Sequence, residues 1–155
     1  MKTLLLSFVL VVAALPASAQ ESNPLAWPAE HRKLAARISD ATVITSIAVD
    51  SIHSFRSADK GRAFVCQSYR VAASMIVAEL LKRAIHRMRP DGSDNKSFPS
   101  MHTAIATSSF AWNVRIQIPV GAGTGLLRQG ANKHYPTDTA AGFGIGFVAG
   151  QLFCE

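Results

Sequence analysis

The chain has 155 residues, 48% of them hydrophobic and 17% charged, which leaves room for one domain behind a targeting segment and excludes a disordered tail. Lys and Arg number 16 against 10 Asp and Glu, and the resulting net charge of +6 favours anionic partners: phosphate esters, anionic lipid or nucleic acid. Aromatics make up only 8% and no run interleaves them with Arg or Lys, so we expect no nucleic-acid partner, while two cysteines exclude a disulfide-dense scaffold and a cysteine-only zinc site.

Residues 1–19 read as a secretory signal peptide. Lys2 gives the positive start, Leu4 to Leu15 is an apolar run, Pro16 breaks it, and Ala17-Ser18-Ala19 is a cleavage site. The run is short for a membrane anchor. Export would place the mature chain, residues 20–155, in the periplasm. In that oxidising space Cys66 and Cys154 would either pair or stay as separate buried thiols.

Residues 20–54 form an N-terminal extension and helix. Gln20 to Glu30 carries Pro24 and Pro28 and reads as an extended lead-in, with helical spacing in Leu34, Ile38, Ala41 and Thr45 behind it. Ser57 to Gly61 reads as a turn. The catalytic core, residues 63–153, opens with the clearest helix, Ala63 to Arg89. Val71, Met75, Ala78, Lys82, Ile85 and Arg89 fall on one stripe of it, so two cations stand in line with aliphatic side chains. Pro90 stops this helix and Asp91 to Lys96 is a polar loop. Pro99 suits the first position of a helix running to about Asn113. Arg128 to Tyr135 reads as a loop, and Pro136 opens a last helix in which Gly142, Gly146 and Gly150 make a face for close helix approach. With no strand alternation, the expected class is all-α, a compact helical bundle with the active site at helix ends. The uncharged C-terminal stretch, Thr139 to Cys154, is short of a spanning helix, which favours a soluble or peripheral chain.

Three local groups carry chemistry. Lys82 and Arg89-Pro90 set two cations toward one side, as a phosphate requires, although a snorkelling basic pair has the same spacing. Pro99-Ser100-Met101-His102 presents a helix start whose amides and Ser100 hydroxyl face an anion, although a helix cap beside a surface histidine reads the same way. Arg128, His134 and Asp138 add a third cation and a histidine whose ring N–H can be taken by a carboxylate in the first turn of the last helix. That leaves an exposed lone pair on the other nitrogen, the arrangement of an oriented nucleophile; a structural His–Asp bond is the plainer alternative. A metal site is disfavoured, because Asp138, Asp91 and Asp94 are the only carboxylates in these groups and no ligand spacing appears.

Taken together, in this order and with these spacings, the three groups resemble the three-part signature of the type-2 phosphatidic acid phosphatase superfamily, which includes bacterial acid phosphatases, lipid phosphatases and vanadium haloperoxidases. The resemblance covers Lys82 to Gly142 and matches every charged and catalytic position. Met101 stands where the family usually has Gly, and Leu127 where it usually has Ser. The resemblance implies a phosphomonoesterase without cofactor or metal. His134 would be its nucleophile, Asp138 the residue orienting it and His102 the general acid and base. Lys82, Arg89, Ser100, the Met101 amide and Arg128 would hold the phosphate. An exported, basic and apolar domain suits a phosphorylated lipid or envelope substrate and peripheral contact with an anionic membrane surface. The alternatives are a soluble nonspecific acid phosphatase acting on a phosphorylated small molecule and a non-catalytic phosphate-binding module.

Overall fold

The computed structural model describes residues 23–152, so the signal peptide expected at residues 1–19 and the cysteine at 154 lie outside the described residues. The chain is all-α. Among the described residues five helices follow in order: α1 (Ala29–Arg56), α2 (Lys60–Ile85), α3 (Met101–Ser109), α4 (Val114–Gly130) and α5 (Pro136–Leu152). The shortest, α3, is the hub, packing against all four others, and its residues Thr103 to Ser109 are buried.

Helix α1 follows Pro28, with Glu30 in its first turn where a carboxylate suits the dipole. Helix α2 is capped by Asp59, whose side chain accepts from the Arg62 amide at 3.0 Å. These two helices turn polar faces inward. Ser39, Ser46, Asp50 and Ser54 of α1 are buried, as are Gln67, Arg70 and Ser74 of α2. Hydrogen bonds satisfy this seam: Gln67 Nε2 donates to Ser51 Oγ at 2.8 Å and to the Ile47 carbonyl at 3.1 Å. The Trp112 indole donates to Asp50 at 2.9 Å, and Arg70 lies 3.3 Å from the same carboxylate. The outer faces carry Ile44, Ile52, Phe55, Tyr69, Ile76 and Leu80, all exposed. Helix α2 is long and apolar enough to cross a membrane by length and composition. Arg70 and Glu79 break its apolar run, so no long uncharged stretch marks it in the sequence.

The expected helix over Ala63 to Arg89 is cut short. His86 adopts a left-handed conformation (φ 50°, ψ 41°), its amide bonds back to the Lys82 carbonyl at 3.3 Å, and the chain leaves the helix at Ile85. Lys82 and Arg89 are therefore not on one helical stripe. Helix α3 begins at Met101 with Ser100 as N-cap, two residues later than a helix opening on Pro99, and ends at Ser109 rather than near Asn113; the Phe98–Pro99 bond is cis. Helix α4 tolerates Pro119 and runs on to Gly130, so Arg128 lies in its last turn rather than in a loop. The α5 glycines lie against α3: a Cβ on Gly142 would meet the Ser100 carbonyl oxygen at 2.3 Å, and one on Gly146 the Ala104 carbonyl oxygen at 2.2 Å. Cys66 is disulfide-bonded.

Candidate active site

His134 sits between α4 and α5 with 1% of its surface exposed. Its Nδ1 lies 2.7 Å from the backbone carbonyl oxygen of Ser97. A carbonyl only accepts, so the proton is on Nδ1 and the lone pair of the neutral ring is on Nε2. The expected acceptor, Asp138, is 3.7 Å from the same nitrogen, beyond a hydrogen bond. The reason is competition for its oxygens. Arg87 Nη1 donates to Oδ1 at 2.8 Å, while the Ser97 hydroxyl and the Tyr135 amide donate to Oδ2 at 2.5 and 2.8 Å. Arg87 also donates to the Thr137 hydroxyl at 2.7 Å and lies over the Tyr135 ring, 4.2 Å from its centroid. Burial alone would raise the Asp138 carboxyl, yet His134, the Ser97 hydroxyl, the Tyr135 amide and Arg87 hold it below the usual carboxylate range. Asp138 is thus a fixed negative charge beside the imidazole.

Three cations act on this histidine. Burial lowers the His134 pKa to about 4, Asp138 opposes that, and Arg128, Lys82 and Arg89 each add to it. Lys82, itself buried, donates from Nζ to the carbonyls of Lys96 (2.7 Å) and Pro99 (2.6 Å), which leaves one ammonium proton uncommitted. Burial, then Arg89, lowers its pKa to about 8. Arg89 lies on the segment between α2 and α3, where Nε donates to Asp94 at 2.7 Å and Nη1 to the Lys133 carbonyl at 3.4 Å. Arg128 is buried in α4. Its Nη1 donates to Ser39 Oγ and Asp40 Oδ1, both at 3.2 Å, and its buried Nε has no partner.

The start of α3 completes the group. The Ser100 amide is already taken by the Asp138 carbonyl at 2.9 Å, contrary to the expectation that it faces an anion. The Ser100 hydroxyl accepts from Thr103 Oγ1 at 2.9 Å and keeps its own proton to give. Met101 and His102 are the first two helical residues, whose amides have no carbonyl a turn earlier to bond. The His102 ring is about one third exposed, and Nε2 lies 2.9 Å from Asp40 Oδ1. Burial, then Arg128, lowers the His102 pKa to about 4 against the pull of Asp40.

The residues singled out in the sequence thus draw on α2, α3, α4, α5 and the segments between them, and they act on one another electrostatically. Sequence reasoning missed Arg87, Ser97 and Asp40. Arg87 lies beyond the end of α2 and belongs to none of the three spacings, Ser97 acts through its carbonyl, and Asp40 lies 62 residues before His102 with no motif around it. Among the described residues, no three or more His, Cys, Asp or Glu side chains are grouped to hold a metal ion.

Over 108 residues the chain is 29% identical to the lipid A 1-phosphatase of Porphyromonas gingivalis, a match that covers 63% of this chain and 24% of the relative. The chain spans about a quarter of the length of that curated relative. No family model matches the chain, and no solved structure matches it.

Proposed function

We propose that the chain is an exported phosphomonoesterase that acts through a phosphohistidine at His134 on a lipid or envelope phosphate. One observation carries this reading: the Nδ1–H of His134 is bound by the Ser97 carbonyl, so the nucleophilic lone pair stands on Nε2 of a neutral ring among Lys82, Arg89 and Arg128. Nε2 attacks phosphorus in line. Asp138, 3.7 Å from Nδ1, balances the positive charge the ring acquires as the N–P bond forms. The uncommitted proton of Lys82, the free Nε–H of Arg128, the Arg89 guanidinium, the Ser100 hydroxyl and the Met101 amide serve the equatorial oxygens, where transition-state charge collects. Protonated His102 gives its proton to the departing alcohol oxygen. As a neutral base it then takes a proton from the water that cleaves the N–P bond, releasing phosphate and restoring His134. Cations and amides suffice to neutralise the phosphate, so the reaction needs no metal.

The lipid substrate class is supported by the similarity to a lipid A 1-phosphatase and by the inverted helices α1 and α2, whose exposed Ile44, Ile52, Phe55, Ile76 and Leu80 suit a lipid surface better than water. A groove of about 480 Å³ between α4 and α5, lined by Gly121, Leu126 and Phe143, adds apolar surface beside Thr103 and Thr139. The test is a hydrolysis screen of the mature chain, in detergent and with EDTA, using an aryl phosphate, phosphatidic acid and a polyprenyl diphosphate. Phosphate release from the lipids in EDTA is expected. Release from the aryl ester alone would leave a nonspecific acid phosphatase, and binding without release a phosphate-binding module.

A further inference from the structure

Asp40 has no part in the three sequence motifs, and α1 brings it to the start of α3. Its side chain is 55% exposed, so burial does not force its position, yet Oδ1 lies 2.9 Å from His102 Nε2 and 3.2 Å from Arg128 Nη1. A carboxylate only accepts, so the proton in the 2.9 Å contact belongs to Nε2 of His102. The neutral ring then keeps its lone pair on Nδ1. The charged groups acting on His102 are Asp40 from α1, Arg128 from α4 and Arg89 from the segment between α2 and α3. Burial and the two arginines disfavour the charged ring, and Asp40 is the counterweight.

We propose that Asp40 is the positioning residue of the proton-transfer step: it fixes His102 with Nε2–H bound, so that Nδ1 gives and takes the proton, and it holds Arg128 in the same grip. This rests on the phosphatase reading given above. As the P–O bond breaks, the Nδ1 proton of the imidazolium passes to the alcohol oxygen, whose bonding pair it accepts, and the ring is left neutral with Nε2–H still on Asp40. In the second half-reaction Nδ1 takes a proton from the attacking water, which restores the imidazolium. The balance closes on substrate and water alone.

Two measurements on the full chain test this, with Asp40→Asn and Asp40→Glu as variants. The first is the pair of ¹⁵N ring shifts of His102 at neutral pH, assigned by their loss in His102→Gln. The native ring should hold its proton on Nε2, and Asp40→Asn should lose that preference. The second is turnover of an alkyl phosphate against an aryl phosphate. Asp40→Asn should lose at least about tenfold more on the alkyl ester, whose departing oxygen needs the proton, and Asp40→Glu should recover part of the difference. Equal losses on the two esters, or a native ring protonated on Nδ1, would overturn the proposal. A chain with no activity on either ester fails the phosphatase reading itself, and the ring tautomer alone then decides whether Asp40 positions His102.

Discussion

His134 is held through the backbone of Ser97: Nδ1 meets the Ser97 carbonyl at 2.7 Å, while the Asp138 carboxylate stands off at 3.7 Å. The hydroxyl of the same Ser97 donates to Asp138 at 2.5 Å. One residue therefore ties the imidazole to the carboxylate without a direct bond between them, and Arg87 closes the far side.

A first consequence concerns Arg87. It is buried against Asp138, and none of the steps proposed above uses it. Arg87→Ala leaves a buried carboxylate without its cation and should destabilise the protein by about 3–5 kcal/mol. The denaturant midpoint should fall accordingly. A midpoint within error of the native one would show that the pair contributes nothing.

Acid should unfold the protein through His134. The unfolded imidazole titrates near 6.5 and the folded one at about 4, so between these values the unfolded state binds more protons. The contribution is complete above about pH 6.5 and is lost as pH falls through about 4. It amounts to roughly 3 kcal/mol for a shift of this size. Melting temperatures from pH 7 to 4 should fall less steeply in His134→Asn; an identical slope would contradict the assignment.

The close seam between α3 and α5 predicts opposite outcomes at two glycines. Gly142→Ala puts a methyl 2.3 Å from the Ser100 carbonyl, must displace the start of α3, and should cost about 1–3 kcal/mol together with turnover. Gly123→Ala, in α4 with nothing within 4 Å of its Cβ, should be neutral or stabilise by up to about 1 kcal/mol. Thermal melts and rates of the two variants check this, and equal effects would remove the packing argument.

The all-α class and the glycine face of α5 were legible in the sequence because helical spacing and a four-residue glycine repeat are local signals. The candidate residues stood out as residue types at fixed spacings, and their geometry did not. The spacing of Lys82 and Arg89 implied a shared helical stripe, but the left-handed His86 ends α2 between them. Asp138 lies one turn from His134, yet its oxygens are claimed by Arg87, Ser97 and Tyr135, competitors that local spacing does not reveal. Asp40 depends on how α1 crosses the start of α3, a tertiary relation with no local trace. The inverted faces of α1 and α2 escaped notice because a helix apolar on one side gives the same periodicity whichever side is buried.

Catalysis and anion binding should separate by residue. Vanadate takes up the trigonal-bipyramidal form of the transferring phosphoryl group. His134→Ala should abolish turnover and leave vanadate affinity largely intact, because Lys82, Arg89 and Arg128 remain. Arg89→Ala should weaken both, by about 2–4 kcal/mol, as for a lost transition-state donor. Calorimetric titration with vanadate beside steady-state rates reads the two quantities, and parallel losses in the His134 variant would contradict the separation.

The most direct measurement of the central claim is a rapid alkaline quench of the native chain turning over a phosphate ester, followed by mass spectrometry of its peptides, since a phosphohistidine survives alkali. The account predicts a single phosphoryl adduct on His134, absent from His134→Ala. A phosphoryl group on Ser100 or any other side chain, or active turnover with no adduct during the steady state, would contradict it.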